Sequence, residues 1–224
     1  MVAQHGQPLF SAPVCQVDSL MHSVKIKPFD VTALKLQAKG ETCPVIEVVP
    51  GQIITRSRKE KMTVKDGFVE ADPARDILKL AVIERHNATG RIGRGLVSGF
   101  GLKQGALASS IAHDSHNIVA VGVSDADIYA AVKAIEAMQG GLVAVADGKV
   151  LAFLAAPIAG LLAQEPMEKV AARTEELENC AHNLGSDLHA PFATLSFLAL
   201  PVIPELRLTD LGLVDVNAFK LISY

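Results

Sequence analysis

The residues of this chain that are best suited to chemistry lie in one short segment, His113-Asp114-Ser115-His116-Asn117. Its two imidazoles and its carboxylate are the side-chain types that transfer protons or bind metal ions near pH 7. A buried cluster of titratable groups costs several kcal/mol unless its members are paired. The segment therefore either forms a hydrogen-bonded turn or carries a function.

Three interpretations of this segment are open. In the first, Asp114 and Asn117 hydrogen-bond to local backbone, and the histidines are exposed or satisfied in the core. In the second, His113, Asp114 and His116 are catalytic, and Ser115 and Asn117 bind substrate or support the loop. In the third, His113, Asp114 and His116 bind a catalytic zinc ion, although their short spacing leaves convergence on one ion open. The segment precedes an apolar strand, whereas α/β proteins place ligands at strand carboxyl ends, and this weakens a self-contained site.

A second candidate is the glycine-rich run Gly99–Gly105, in which backbone N–H groups and Lys103 are suited to binding an anion. The run does not match the GxxxxGK[ST] phosphate motif, so a tight structural loop is favoured. Lys103 is retained as a substrate-binding or loop-supporting residue. The charged run Glu84-Arg85-His86 is predicted to form a solvated face near a helix end, with a cation close to the helix carboxyl terminus.

Composition narrows the class of protein. With 224 residues, of which 50% are hydrophobic, and a mean hydropathy of +0.31, the chain is large enough to bury a substantial core. The net charge is -3 with interspersed signs, and this argues against nucleic-acid binding. Glycine and proline interrupt the apolar runs well before the ~20 residues that a membrane helix needs, so no membrane association is expected.

The compartment and the partners are inferred from three further features. The amino-terminal residues have no basic segment followed by an apolar one, and hence no secretory signal. Cys15, Cys43 and Cys180 match neither a disulfide framework nor a CxxC metal motif, which fits a reducing compartment. We therefore expect a cytoplasmic protein. The apolar excess, with only 20% charged residues, indicates a large buried interface, so we expect a homo-oligomer.

Local patterns predict alternating strands and helices without a regular βαβ rhythm. Apolar or alternating runs and turn signals such as Asp66-Gly67 predict strands, at residues 43–49, 53–55, 61–65, 68–70, 118–123, 142–146 and 149–154. Capping residues and apolar positions three or four apart predict helices, at residues 72 to about 87–90, 124 to about 140 and 166 to about 185. Residues 192–204 fit either a helix or a strand. The sequence thus predicts an α+β fold, with a mixed β-sheet and hairpins packed against several helices.

Longer runs point to a family. The runs Gly99–Asn117, Pro157–Leu161 and Pro191–Asp210 closely resemble the C-terminal domain of bacterial adenine deaminases of the amidohydrolase superfamily. Val49–Thr55 and Asp76–His86 resemble the same family. The resemblance covers about residues 20–216, and long motifs in the same order make it specific.

The resemblance implies a metal-dependent hydrolase that converts adenine and water to hypoxanthine and ammonia. In that family a preceding (β/α)8 barrel carries a divalent metal, manganese, iron or zinc, which activates water for attack on C6 of the purine. This chain has no HxH motif and no room for a barrel of ~250 residues. We therefore expect no metal in this chain, and expect the barrel domain and adenine to be its partners.

The resemblance also implies an organisation and a role for the histidine segment. Residues 1–22 are interpreted as the remnant of a preceding small β domain, and residues 23–224 as the adenine deaminase C-terminal domain. The catalytic candidates His113, Asp114 and His116 would cover or complete the active site of the barrel, while the chain alone would be inactive. Two alternatives are a non-catalytic structural or oligomerisation domain and an autonomous metal-dependent hydrolase.

Overall fold

The computed structural model describes residues 2–11 and 16–223. The strands are, in chain order, β1 (Ala3–Gln4), β2 (Gln7–Pro8), β3 (Leu36–Gln37), β4 (Thr42–Val48), β5 (Thr55–Lys61), β6 (Thr63–Lys65), β7 (Phe68–Glu70), β8 (Leu78–Ile83), β9 (Ile92–Ser98), β10 (Ala106–Ser109), β11 (Ile118–Gly122), β12 (Gly141–Ala146), β13 (Lys149–Ala155), β14 (Leu206–Thr209), β15 (Gly212–Asp215) and β16 (Lys220–Ile222). The helices are α1 (Asp125–Ala137), α2 (Met167–Asn183) and α3 (Pro191–Phe197), with short 3-10 helices at Asp18–Leu20 and Val31–Leu34.

An eight-stranded sheet in the order β13-β12-β10-β11-β8-β9-β4-β5 forms the centre of the fold. Its neighbouring strands are antiparallel, except that β4 and β9 run parallel. Smaller antiparallel sheets are β1-β2, β14-β15-β16 and β3-β7-β6. The expected α+β fold with a mixed sheet and hairpins is therefore confirmed.

Both faces of the large sheet are covered, as the central strand β8 illustrates. Leu78, Leu80 and Val82 of β8 share a core with α2, α3 and the β14-β15-β16 sheet. Ala81 and Ile83 face the opposite side, where they pack with α1. Successive side chains of a strand point to opposite faces, so every residue of β8 is buried on one side or the other.

The predicted helix from residue 72 is wrong. Residues 72–77 form a turn in which the backbone of Asp72 and Ile77 exchange hydrogen bonds of 2.7 and 3.0 Å, and β8 follows at once. The error has a physical cause. A strand that is buried on both faces is largely apolar, so Leu80 and Ala81, which lie three and four residues after Ile77, also satisfy the spacing of a helix.

The other helices and hairpins follow their local signals. The Ser124 hydroxyl accepts a hydrogen bond from the Asp127 N–H at 3.1 Å and caps α1, as predicted. α2 follows Pro166 and precedes Gly185, again as predicted. The ambiguous residues 192–204 are divided between α3 and an irregular segment. β5 begins at Thr55, so most of the predicted strand at 53–55 lies outside it.

Three further expectations concern the amino terminus, the membrane and the cysteines. The β1-β2 hairpin pairs with no other sheet among the described residues, and the Leu20 carbonyl accepts a hydrogen bond from the Ala159 N–H at 2.8 Å. No helix among the described residues is long and apolar enough to cross a membrane. Cys43 and Cys180 are free thiols, and Cys15 lies outside the described residues.

Candidate functional site

The histidine segment lies in the loop between β10 and β11, which we call the histidine loop (residues 110–117). β11 pairs with β8, and Ile118 lies opposite Ile83. Residues 84–86 therefore continue past the end of β8 beside the histidine loop. The loop also contacts α3, because the backbone N–H of His113 donates to the Ser196 carbonyl at 3.1 Å.

His113 is exposed to solvent and lies flat on an aromatic ring. Its imidazole stacks on Phe197 of α3, with ring centroids 4.4 Å apart and planes 6° apart. Its Nδ1 lies 3.3 Å from the Ser196 hydroxyl, which itself donates to the Ala193 carbonyl at 2.7 Å. A hydroxyl has one proton to donate, so this network assigns the ring proton to Nδ1. The Nε2 lone pair of the neutral ring is then free to accept a proton.

His116 is half-buried and has a perturbed titration. Its backbone N–H donates to the Ala112 carbonyl at 2.7 Å, and its own carbonyl accepts a hydrogen bond from Nε of Arg85. Its Nδ1 is buried without a hydrogen-bond partner among the described residues. Burial lowers the pKa of His116 first, and the positive charge of Arg85 and the nearby His113 lower it further. The imidazole is therefore neutral at pH 7.

Asn117 is buried, and a long-range contact fixes its amide. Its Nδ2 donates to Oδ1 of Asp210 at 3.2 Å, and the other oxygen of Asp210 accepts from Nε of Arg91 at 2.6 Å. A carboxylate can only accept hydrogen bonds from these donors, so the amide nitrogen of Asn117 must face Asp210. The amide oxygen is left buried with no partner among the described residues.

Asp114 and Ser115 form the exposed tip of the histidine loop. The Asp114 carboxylate makes no hydrogen bond or ion pair with any residue in the described ranges. The Ser115 carbonyl lies 2.7 Å from Nε2 of His86, and the Ser115 hydroxyl lies 3.5 Å from the Asn117 N–H. The side chains of Asp114 and Asn117 thus make none of the local backbone hydrogen bonds that a purely structural turn would use.

Lys103 lies away from the histidine loop. It precedes β10, whereas the histidine loop follows β10. Its Nζ donates to the Pro73 carbonyl at 3.1 Å, and its N–H donates to the Leu184 carbonyl at 2.8 Å. The structure therefore brings His113, Asp114, Ser115, His116 and Asn117 together but leaves Lys103 at the other end of the strand.

Sequence reasoning missed the importance of Glu84 and Arg85. They were predicted on a solvated helix end, but their residues are only 2% and 1% exposed and follow a strand. Burial alone would raise the pKa of Glu84, but hydrogen bonds from Thr89, Asn87 and His86 outweigh it and lower the pKa to about 2. The ionisable residues directly after the apolar run 80–83 were the available signal, since such groups are almost never fully buried unless they are paired.

Two chemical abilities follow from this arrangement. Neutral imidazoles accept or donate protons near pH 7, and an unpaired carboxylate accepts hydrogen bonds from an amine or a ring N–H. The residue set does not fit a metal centre: in the described part of the chain, no three His, Cys, Asp or Glu side chains lie close enough to hold an ion. His113, Asp114 and His116 therefore do not form a ligand set here.

Comparison with known proteins identifies the family. Residues 52–220 match the adenine deaminase C-terminal domain. The chain is 56% identical over 222 residues to an adenine deaminase of Dehalococcoides mccartyi strain 195, covering 99% of the chain and 39% of the relative. It is 46% identical over 223 residues to adenine deaminase 2 of Carboxydothermus hydrogenoformans, with the same coverage of 99% and 39%. It thus spans about two fifths of the length of these relatives. The chain belongs to the adenine deaminase C-terminal domain family.

Proposed function

We propose that this domain completes the active site of an adenine deaminase and that its histidine loop faces the purine. One observation carries the proposal. The backbone of the loop is hydrogen-bonded to α3 and to the residues after β8, while Asp114, Nδ1 of His116 and the amide oxygen of Asn117 have no partner among the described residues. A loop that is fixed in place and still offers unpaired polar groups is suited to binding something outside its own domain.

Deamination of adenine requires proton transfers and hydrogen bonds that these groups are suited to make. Conversion of adenine and water to hypoxanthine and ammonia requires a proton to leave the attacking water and a proton to reach the departing amine. A divalent metal, manganese, iron or zinc, held by the preceding barrel would activate that water. Nε2 of His113 and the neutral ring of His116 are suited to accepting and returning a proton. Asp114 is suited to accepting a hydrogen bond from the amino group or a ring N–H of the purine.

The loop also has a place in excluding solvent. The ring of His113 lies on Phe197, so one face of this imidazole is already covered by its own domain. A fixed loop that covers the purine would separate the reaction from bulk water and strengthen each polar contact inside. Loss of the loop groups would therefore lower turnover more than it lowers the stability of the domain.

The proposal extends to the organisation of the whole enzyme. Residues 1–22 belong to a small β domain beside the barrel, and residues 23–224 form the C-terminal domain. The assembled enzyme is cytoplasmic and forms a homo-oligomer through part of the apolar surface. The isolated chain is inactive, because the metal site belongs to the barrel.

The test measures ammonia release from adenine by two proteins. One is the 224-residue chain supplemented with Mn(II), Fe(II) or Zn(II). The other is a chimera in which the chain replaces the matching part of the Dehalococcoides relative. We expect turnover from the chimera only. Turnover by the chain alone that disappears in a His113→Ala variant would contradict a dependent domain and support an autonomous hydrolase.

A further inference from the structure

Two neighbouring carbonyl groups of the histidine loop are held by two neighbouring side chains. Nε of Arg85 donates to the His116 carbonyl. Nε2 of His86 lies 2.7 Å from the Ser115 carbonyl. A carbonyl can only accept, so Nε2 of His86 must carry the proton. Arg85 and His86 lie just after the buried strand β8. Ser115 and His116 lie just before the buried strand β11, which pairs with β8.

Arg85 also joins the histidine loop to a second turn. Its Nη2 donates to the Ala159 carbonyl at 3.1 Å, and its Nη1 lies 3.5 Å from the Ser23 hydroxyl. Gly160 makes room for the guanidinium, because a Cβ at this position would lie 2.6 Å from Nη1. The Ser110 hydroxyl donates to the Gly160 carbonyl at 2.6 Å. The turn at residues 159–160 therefore contacts the beginning of the histidine loop directly and its end through Arg85.

The charge of Arg85 has no acidic partner among the described residues. No salt bridge to it is formed in the described ranges, and both oxygens of the adjacent Glu84 accept hydrogen bonds from the turn at residues 86–89. A buried charge that is satisfied only by neutral carbonyl and hydroxyl groups costs folding free energy, and an apolar residue of similar size is often at least as stabilising. A gain in stability therefore does not by itself account for an arginine at this position.

We propose that Arg85 and His86 are positioning residues, which fix the backbone at Ser115 and His116 and so direct the side chains of His116 and Asn117 toward the substrate. The inference rests on the proposed function for its catalytic consequence. The charges around His116 are consistent with it, since Arg85, His113 and His86 lower its pKa after burial does, and only Asp114 opposes them. Arg85 thus supplies both a fixed geometry and a field that favours a neutral imidazole.

The first test is amide hydrogen exchange, measured by NMR on the 224-residue chain. The Arg85→Met variant loses the hydrogen bond from Arg85 to the His116 carbonyl. The His116 amide, which donates to the Ala112 carbonyl, should then open more often. We expect it to exchange about tenfold faster, since loss of one hydrogen bond is worth about that factor. The amide of Val121 in β11 serves as the control and should not change. Exchange at His116 within twofold of the wild type, in a folded variant, would overturn the inference.

Variants of His86 provide a second test if the Arg85→Met variant does not fold. His86 is exposed, so His86→Ala should leave the fold intact. We expect faster exchange at His116 in His86→Ala and recovery in His86→Gln, whose amide can also donate to the Ser115 carbonyl. Equal exchange in both His86 variants and the wild type would contradict a positioning role for His86.

The second test separates positioning from the proposed function. In the chimera, Arg85→Met should lower kcat at least tenfold and change KM less than about threefold, while His86→Gln should retain more activity than His86→Ala. Faster loop exchange with unchanged kcat would overturn the catalytic consequence. If His113→Ala also leaves kcat unchanged, the proposed function itself fails, although the contact between Arg85 and the loop still stands.

Discussion

The two loops that flank β10 use their polar groups in opposite ways. In the loop before the strand, the carboxylate of Asp76 accepts the N–H groups of Gly99 and Gly101 at 2.6 and 2.7 Å, and Lys103 donates to two carbonyls. In the histidine loop after the strand, the carboxylate of Asp114 pairs with nothing among the described residues. Both loops are rich in groups suited to chemistry, but only one leaves them unpaired.

The difference supports a structural role for the first loop and the proposed functional role for the second. The glycine-rich loop uses its hydrogen bonds within its own domain and packs so closely that a Cβ at Gly105 would lie 2.3 Å from the Val145 carbonyl. The histidine loop is also held by its backbone and by the Ser110 hydroxyl, but it leaves the Asp114 carboxylate, Nδ1 of His116 and the amide oxygen of Asn117 without a partner among the described residues. Unpaired buried polar groups cost free energy, so Nδ1 of His116 and the amide oxygen of Asn117 support the proposal that this loop meets a partner outside the domain. Variants of the two loops and their neighbours test this contrast, first through stability.

The largest loss of stability should come from the glycine-rich loop. Gly105 has φ +74° and no space for a side chain, so Gly105→Ala should lower the free energy of unfolding by about 3 kcal/mol. Gly148 has a similar φ of +70°, but a Cβ at this position would meet no atom within 4 Å, and Gly148→Ala should cost only about 1 kcal/mol. Urea unfolding of both variants measures the difference, and equal losses would contradict the packing argument.

Glu84 should contribute next, because it organises the turn beside the histidine loop. Glu84→Gln should lower the free energy of unfolding at pH 7 by about 2 kcal/mol, since hydrogen bonds to a charged acceptor are lost. The pKa of Glu84 is lowered from 4.5 to about 2, so its contribution is complete above about pH 4.5. The contribution disappears as the pH falls toward 2.

Urea unfolding between pH 2 and pH 7 therefore checks the role of Glu84. The gap between the wild type and Glu84→Gln should narrow as the pH falls through this range. Glu175 is exposed on α2, and Glu175→Gln is the matched control with no expected gap. A difference in unfolding free energy that does not change with pH would contradict the conclusion that the ionised Glu84 carboxylate stabilises this turn.

Loss of the Asp210 carboxylate should affect stability less than loss of the Glu84 carboxylate does, but it should lower turnover measurably. Its carboxylate joins Asn117 to Arg91, but the Arg91 side chain is 49% exposed, so the ion pair is worth little. Asp210→Asn should cost about 1 kcal/mol or less of unfolding free energy. An asparagine at this position can either donate to the Asn117 amide or accept from it, so the orientation of that amide is no longer fixed. Turnover of the chimera should therefore fall several-fold. Unchanged turnover would show that the Asn117 amide is not used.

The smallest effect on stability should come from the tip of the histidine loop. Asp114 is exposed and unpaired in the described part of the chain, so Asp114→Asn should change the unfolding free energy by less than about 0.5 kcal/mol. A loss as large as that of Glu84→Gln would show that Asp114 has a structural partner. The functional interpretation of the loop would then lose its main support.

The elements that sequence analysis predicted correctly are those with local signals. Ser124 caps α1 three residues before Asp127, and Asp66-Gly67 has the positive φ values of 51° and 80° that a tight hairpin needs. β8 was mistaken for a helix because its burial depends on two layers contributed by distant parts of the chain. The periodicity of apolar residues alone does not distinguish such a strand from a buried helix.

The residues of the candidate site also divide into those with a local sequence signal and those without one. The segment from His113 to Asn117 was found from its composition, because imidazoles and carboxylates are conspicuous in any window. Asp210 and Arg85 were not assigned to the site, since their contacts with Asn117 and His116 span 93 and 31 residues. Long-range pairing of β8 with β11 brings Arg85 beside the loop, and a single sequence does not reveal strand order.

One measurement tests the central claim most directly, namely that this domain supplies groups for deamination. It is kcat for ammonia release from adenine by the chimera carrying His113→Ala or His116→Ala, with unfolding followed on the same samples. His182→Ala is the control, because His182 is exposed on α2 and its side chain, within the described ranges, bonds only to the nearby Ser186 carbonyl. We expect a fall of at least about 100-fold for a lost general acid or base, with little loss of stability. Turnover within twofold of the parent in both loop variants would contradict the account.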